Sequence, residues 1–367
     1  MGKIKVLFKM FYLYHKAAYD PLIELFERDS KYDVALSLTH EVERTFGLFD
    51  KNQTKKYLHK FEKEGHRISN ENENFDIVFV PDVVAEKKYG DALLCLIWHG
   101  ITFTKTGIYR ELKKHTDYRY VIFAEGDQSI QSLMTSGSIG NSKVVKVGYP
   151  KMDPYFTAGN FDRDKILQSL GLDPKKPVIL FAPTYKPTCI YDLKDAIFEA
   201  TTKYNLIIKL HHYSWLGKYA SHRQHKIFEQ RIKQYNHAVI IPKDDYSILP
   251  LLYISDTLVS EASGAITEFL STGKTGIIYN LDQDNLKHSD GEVLLSFDNR
   301  EYLKDSFVHI NQPDELQAGI ERALHPTVEM KNAQNDVRDK IFYKLDGKAS
   351  ARVKQTVEQL ITKGSKE

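Results

Sequence analysis

The chain has 367 residues, more than one hydrophobic core ordinarily organises, so two domains are expected. Hydrophobic residues at 42%, aromatics at 12% and charged residues at 27% exclude a disordered or fibrous chain. With 51 basic against 49 acidic residues the formal charge is only +2, so any basic patch must be local, and no nucleic-acid partner is expected.

Met1–Lys5 leads directly into an apolar run, without the apolar core and cleavage site of an export signal. No stretch is long enough to span a bilayer, so any membrane contact is expected to be peripheral. Lys3, Lys5, Lys9 and Lys16, interleaved with Phe8, Phe11, Tyr12 and Tyr14, suit either an interfacial face or a solvated first strand and helix. Strand-length runs then recur at Ile4–Phe8, Val34–Leu38, Ile77–Val80, Leu93–Trp98, Tyr120–Ala124 and Val144–Val147, with helix-compatible segments between them. Lys51–Asn74 is charged and poor in aliphatics and reads as an insertion. Only two cysteines are present, and Cys95 lies inside an apolar run, which fits a buried free thiol and a reducing cytoplasm.

The segment Gly148–Phe156, GYPKMDPYF, has no periodicity and carries glycine and two prolines, as a linker does. A second series of runs follows at Val178–Ala182, Leu206–Leu210, Val239–Ile241, Thr257–Val259 and Thr275–Tyr279, with helices expected over Asp162–Leu170 and Tyr246–Ile254. The fold class is therefore α/β, with two doubly wound Rossmann-like domains at residues 1–150 and 151–330. Residues 331–367 are expected to form C-terminal helices packing back across them, Val353, Val357, Leu360 and Ile361 marking the apolar stripe of a closing helix.

In parallel α/β sheets ligands bind at the carboxyl ends of strands, and three such ends carry chemistry. The run Cys95–Gly100, CLIWHG, ends in His99, an imidazole able to take a proton near neutral pH, and in Gly100, which permits close backbone approach. FAPTYK (Phe181–Lys186) brings out a hydroxyl at Thr184 and an ammonium at Lys186, both suited to phosphate, and IIKLHHYSW (Ile207–Trp215) ends in His211 and His212, of which His211 is the candidate. TLVSEASGAITEFLSTGKTGIIYN (Thr257–Asn280) opens a helix with a small-residue turn, so Ser263 and Gly264 form either a phosphate site or a simple N-cap. Glu261 and Glu268 are candidates for ribose hydroxyls. Asp282–Asp284 reads as a surface turn and Thr135–Asn141 as a turn, and neither a metal nor a cofactor is expected.

These motifs, in this order, resemble the CDP-glycerol glycerophosphotransferases of teichoic acid and capsule synthesis. Trp98–Gly100 is similar to that family's His-Gly element, Gly148–Asp153 to its Gly-x-Pro-(Arg/Lys)-x-Asp segment, FAPTYK to its Ala-Pro-Thr-aromatic-basic segment, and KLHH to its strand-end histidine. DGKASARV (Asp346–Val353) resembles its Asp-Gly-x-Ala-Ser-x-Arg. Glu261–Gly264 departs from the family's Asp-Tyr-Ser-Ser, Thr275 stands in place of a proline, and Ile101 intervenes before Thr102.

The resemblance implies a GT-B architecture, with the two domains facing a cleft. It also implies transfer of glycerol phosphate, or a related polyol phosphate, from a CDP-linked donor to a hydroxyl of a saccharide or lipid-linked polymer, releasing CMP. His99 would be the general base, with His211, Lys186, Thr184, Gly100, Ser263 and Gly264 at the donor phosphates and no metal required. Work at the cytoplasmic face of the inner membrane would follow for a lipid-linked acceptor. The alternative is a GT-B glycosyltransferase or nucleotide-sugar epimerase using a UDP- or CMP-linked sugar.

Overall fold

The computed structural model describes residues 2–45, 49–70, 73–101, 107–216, 223–281 and 299–364. Two compact units emerge, the first made of Met1–Val42, Asn52–Thr157 and Lys340–Glu367, the second of Glu43–Lys51 and Ala158–Asp339.

The first unit is built on strands β1 (Ile4–Met10) and β2 (Tyr32–Leu38). A small two-stranded sheet of β3 (Val42–Thr45) and β4 (Phe49–Asn52), most of it in the second unit, comes next in the chain, and the first unit resumes with β5 (Ile77–Val80), β6 (Leu93–Leu96), β7 (Tyr120–Ala124) and β8 (Lys143–Lys146). The six-stranded sheet has the order β2-β1-β5-β6-β7-β8, and its pairings are parallel, with Val6 opposite Val34 and Ile77. Strands β5 and β7 are buried along their whole length, as a sheet covered on both faces requires. The edge strand β8, KVVK, keeps Lys143 exposed, which discourages pairing with another chain.

The second unit repeats the plan with β9 (Val178–Phe181), β10 (Asn205–Ile208), β11 (Ala238–Ile240), β12 (Thr257–Ser260), β13 (Ile277–Tyr279) and β14 (Val308–Ile310), ordered β11-β10-β9-β12-β13-β14 and parallel throughout. Strands β9, β10 and β12 are fully buried at its centre. The expected helices appear at Arg163–Ser169 and Leu249–Ile254. Asp162 caps the first through its carboxylate, which accepts the Lys165 N–H at 3.1 Å. The second is closed by Lys274, whose ammonium donates to the carbonyls of Leu252, Tyr253 and Ser255 at 3.2, 2.8 and 2.7 Å.

Two expectations are corrected. Within Lys51–Asn74, residues 52–70 are integral to the first unit: the helix Thr54–Lys63 buries Tyr57 and Phe61, four residues apart on one face. The chain beyond it runs beside β2, with the Leu36 N–H donating to Arg67 O at 2.8 Å and the Ser69 N–H to Leu36 O at 2.9 Å. The segment looked like an insertion because its outer face holds the charge. The N-terminal cluster is divided: Phe8, Lys9 and Lys16 turn inward, Lys16 being 5% exposed and paired with Asp20 at 2.6 Å, while Lys3 and Lys5 stay exposed.

The resemblance motifs GYPKMD and DGKASAR form one interlock. Asp153 is buried, and its carboxylate accepts the N–H groups of Ala349 at 3.0 Å and Ser350 at 2.6 Å, capping the C-terminal helix Ala349–Gly364. Arg352 donates from Nε to Val147 O at 2.6 Å and holds Asp346 with both terminal guanidinium nitrogens. Gly148 has a φ of +93°, and a Cβ there would lie 2.6 Å from Tyr343 O, so the interlock admits only glycine. The closing helix thus belongs with the first unit, where Lys354 reaches Asp29 at 2.6 Å and the Tyr32 hydroxyl donates to Glu358 at 3.1 Å.

Asp153→Ala removes both acceptors from a buried helix start and is expected to cost about 2 kcal/mol. Asp153→Asn, which keeps one acceptor oxygen, should lose less. Urea unfolding measures both, and an alanine variant as stable as wild type would show that the cap carries no weight.

Candidate active site

In the first unit, His99 and Gly100 leave the carboxyl end of β6, as the motif CLIWHG predicts. Aromatic rings surround His99: Trp98 at 4.3 Å between centroids, Tyr14 at 5.3 Å edge-on, and His15 at 4.6 Å with the planes 29° apart. Tyr14 and His15 come from the turn after β1, which sequence reading did not connect with His99. The fold does not itself demand glycine at position 100, since a Cβ would meet only the Trp98 indole at 3.5 Å, an ordinary contact.

Asp82 was also missed. It follows β5, the strand between β1 and β6, and accepts the Val83 N–H at 2.8 Å, while burial pushes its carboxyl up to about 6. The signal was available, because Asp82 ends an apolar run as His99 does.

In the second unit the order β10-β9-β12 makes the three candidate loops neighbours. The Tyr185 ring lies 4.7 Å from His211, joining the loop after β9 to the loop after β10. Nδ1 of His211 accepts the Tyr213 N–H at 3.2 Å, so the ring proton sits on Nε2, where it can be donated to an anion. His212 is buried and Lys186 is exposed.

The loop after β12 is held by Glu261. Glu261 was read from the sequence as a ribose ligand, but the structure gives its carboxylate an internal task. It is 2% exposed, and Oε1 accepts the Thr184 N–H at 2.9 Å and the Cys189 N–H at 3.4 Å, bracing the FAPTYK loop against β12. Thr184 is buried with it, so Lys186 is the group that the loop turns outward.

Ser263 caps the helix Gly264–Ser271, its hydroxyl accepting the Ala265 N–H at 3.2 Å. Nothing lies within 4 Å of a Cβ built on Gly264, so space is open over the first turn of the helix. Glu268 is on the same helix and buried. Asp282–Asp284 lies outside the described residues. Among the described residues, no cluster of three or more His, Cys, Asp or Glu is placed to hold a metal ion, and no helix is long and apolar enough to cross a membrane. Both cysteines are free and buried, and burial pushes their thiols up.

Burial pushes the Glu261 carboxyl up to about 8, against the backbone N–H groups that favour its charged form. The folded chain therefore binds a proton here that the unfolded chain, titrating at about 4.3, has released. The stability from neutral Glu261 is complete below about pH 4 and is lost as pH rises toward about 8, by up to about 1.4 kcal/mol per pH unit. Glu261→Gln retains an acceptor oxygen without the titration. Between about pH 5 and pH 8 its stability to urea should fall less than that of wild type. Equal slopes would place the Glu261 proton elsewhere.

Comparison with known proteins agrees with this architecture. Residues 24–359 match the family described as CDP-Glycerol:Poly(glycerophosphate) glycerophosphotransferase. The teichoic acid glycerol-phosphate transferase of Staphylococcus aureus (strain NCTC 8325 / PS 47) is 24% identical over 284 residues, covering 71% of this chain and 69% of that protein. The teichoic acid glycerol-phosphate primase of Bacillus subtilis (strain 168) is 25% identical over 186 residues, 49% of this chain and 44% of the primase, so the match spans less than half of that relative. The solved structure of the wall teichoic acid polymerase TagF shares the fold with a TM-score of 0.68 at 14% identity, covering 99% of this chain and 90% of that one. With its two parallel α/β units and a family match over nearly its whole length, the chain belongs to the CDP-glycerol:poly(glycerophosphate) glycerophosphotransferase family.

Proposed function

We propose that the chain transfers glycerol phosphate, or a related polyol phosphate, from a CDP-linked donor to a hydroxyl of a teichoic-acid-type or capsular acceptor. The observation that carries this reading is the convergence of Lys186, the His211 Nε2–H and the open first turn of the helix Gly264–Ser271 at neighbouring strand ends. An ammonium, a neutral N–H donor and a helix N-terminus together suit a pyrophosphate and the charge that grows on departing CMP. Glu261 serves by holding the loop that presents Lys186, and Glu268 remains the candidate for the ribose.

In the proposed reaction the acceptor oxygen bonds to the phosphorus bearing glycerol, and the phosphorus–oxygen bond to CMP breaks, its electron pair leaving with CMP. The acceptor proton passes to His99, whose place at a strand end among packed rings suits a base of fixed orientation. A lipid-linked acceptor would bring the chain to the cytoplasmic face of the membrane, through a surface other than buried Lys9 and Lys16.

Thermal stabilisation by nucleotides tests the donor without an acceptor. CDP-glycerol should raise the unfolding temperature most, CMP less, and UDP or UDP-N-acetylglucosamine not at all; a response to uridine nucleotides alone would replace this reading with sugar chemistry. Gly264→Leu fills open space, so the free chain should stay as stable as wild type while CDP-glycerol affinity falls about tenfold or more. Unchanged affinity would move the phosphates away from this helix. His99→Ala should keep CDP-glycerol stabilisation and slow CMP release by roughly two to four orders of magnitude, whereas wild-type release would remove His99 as the base.

A further inference from the structure

The stack of His15 on His99 is a second imidazole for which the proposed reaction has no use. His15 is 2% exposed and sits at the start of the helix Lys16–Glu27. Its Nδ1 accepts the Phe11 N–H at 3.2 Å. A backbone N–H can only donate, so Nδ1 carries a lone pair, the ring proton is on Nε2, and His15 is neutral in this geometry. The positive end of the helix beside it further disfavours a charge there.

The surrounding residues hold this arrangement. Tyr14 packs edge-on against both rings, 4.5 Å from His15 and 5.3 Å from His99. The Leu13 N–H donates to Glu41 at 2.8 Å, which fixes the turn, and Lys16 on the helix is paired with Asp20 at 2.6 Å. Lys9, at the end of β1, lies over the Phe11 ring at 5.3 Å. The Glu41 contact fixes the turn that presents His15, and none of the other contacts places a proton on its ring.

We infer that His15 is a positioning residue: a neutral imidazole, clamped by Phe11 and Tyr14, that fixes the plane of His99 and leaves His99 as the one member of the stack that takes up a proton. The inference rests on the reading of His99 as the base. A stacked aromatic face restricts rotation of the ring it covers, and the face of a neutral ring tolerates the imidazolium that forms when His99 accepts the acceptor proton.

Nitrogen NMR of the full chain labelled at histidine tests this, with His15 and His99 assigned from the signals lost in His15→Phe and His99→Asn. In wild type His15 should remain in the neutral Nε2–H form from about pH 5.5 to about pH 8.5 while His99 titrates alone. Protonation of His15 within that range would overturn the inference. His15→Leu, which keeps bulk without a ring face, should broaden or average the neutral His99 signals, and His15→Phe, which restores the face, should return them to one sharp set. His99 signals in the folded leucine variant matching wild type would also overturn it. The spectra do not depend on turnover, so failure of His99 as the base, seen as CMP release by His99→Ala, is distinguishable from failure of the stack.

Discussion

Parallel pairing is the constraint from which the chemistry of this chain follows. Because the strands of each six-stranded sheet run the same way, every loop after such a strand emerges at one edge, and residues far apart in sequence become neighbours there. In the second unit this gathers Lys186, His211 and the helix start at Gly264. In the first it gathers the turn after β1, Asp82 after β5 and His99 after β6. The fully buried central strands make the register rigid, since a one-residue slip would turn each apolar side chain to the opposite face of the sheet.

The polar groups that shape the site are mostly buried and internally committed. Glu261 is buried, and its carboxyl braces the backbone at Thr184 and Cys189, on either side of exposed Lys186. Asp153 does the same for the closing helix. In each case a carboxylate accepts two backbone N–H groups, which offsets part of the cost of burying it. The family motifs are therefore of two kinds, some ending strands where the proposed donor would bind and others bracing those loops from within.

Much of the plan was legible in the sequence because strand-length apolar runs and the residues ending them are local signals. Most strands and the positions of His99, His211 and Ser263 at strand ends or helix starts follow from them. Three features were not legible, each for a physical reason. Strands β3 and β4 carry charged residues and β14 is interrupted by His309, so none shows the apolar run that marks the equally short β9 and β13. The helix Thr54–Lys63 buries just Tyr57 and Phe61 on an otherwise charged surface, so its composition resembled an insertion. The partners of His99, Glu261 and Asp153 lie far away in sequence, and spacing alone does not reveal contacts made by tertiary packing. His15 lies eighty-odd residues before His99 and was visible only as part of an aromatic-basic stretch.

The leaving group tests the central claim most directly. Attack at the phosphorus bearing glycerol must release CMP and carry the phosphate into the acceptor, whereas sugar-type transfer from the same donor would release CDP. The measurement is to incubate the chain with CDP-glycerol labelled in both the glycerol and its phosphate, together with isolated envelope polymer, and to identify the nucleotide product. The account predicts CMP, with both labels appearing in the polymer in equal amount. Release of CDP, or glycerol transferred without its phosphate, would contradict it.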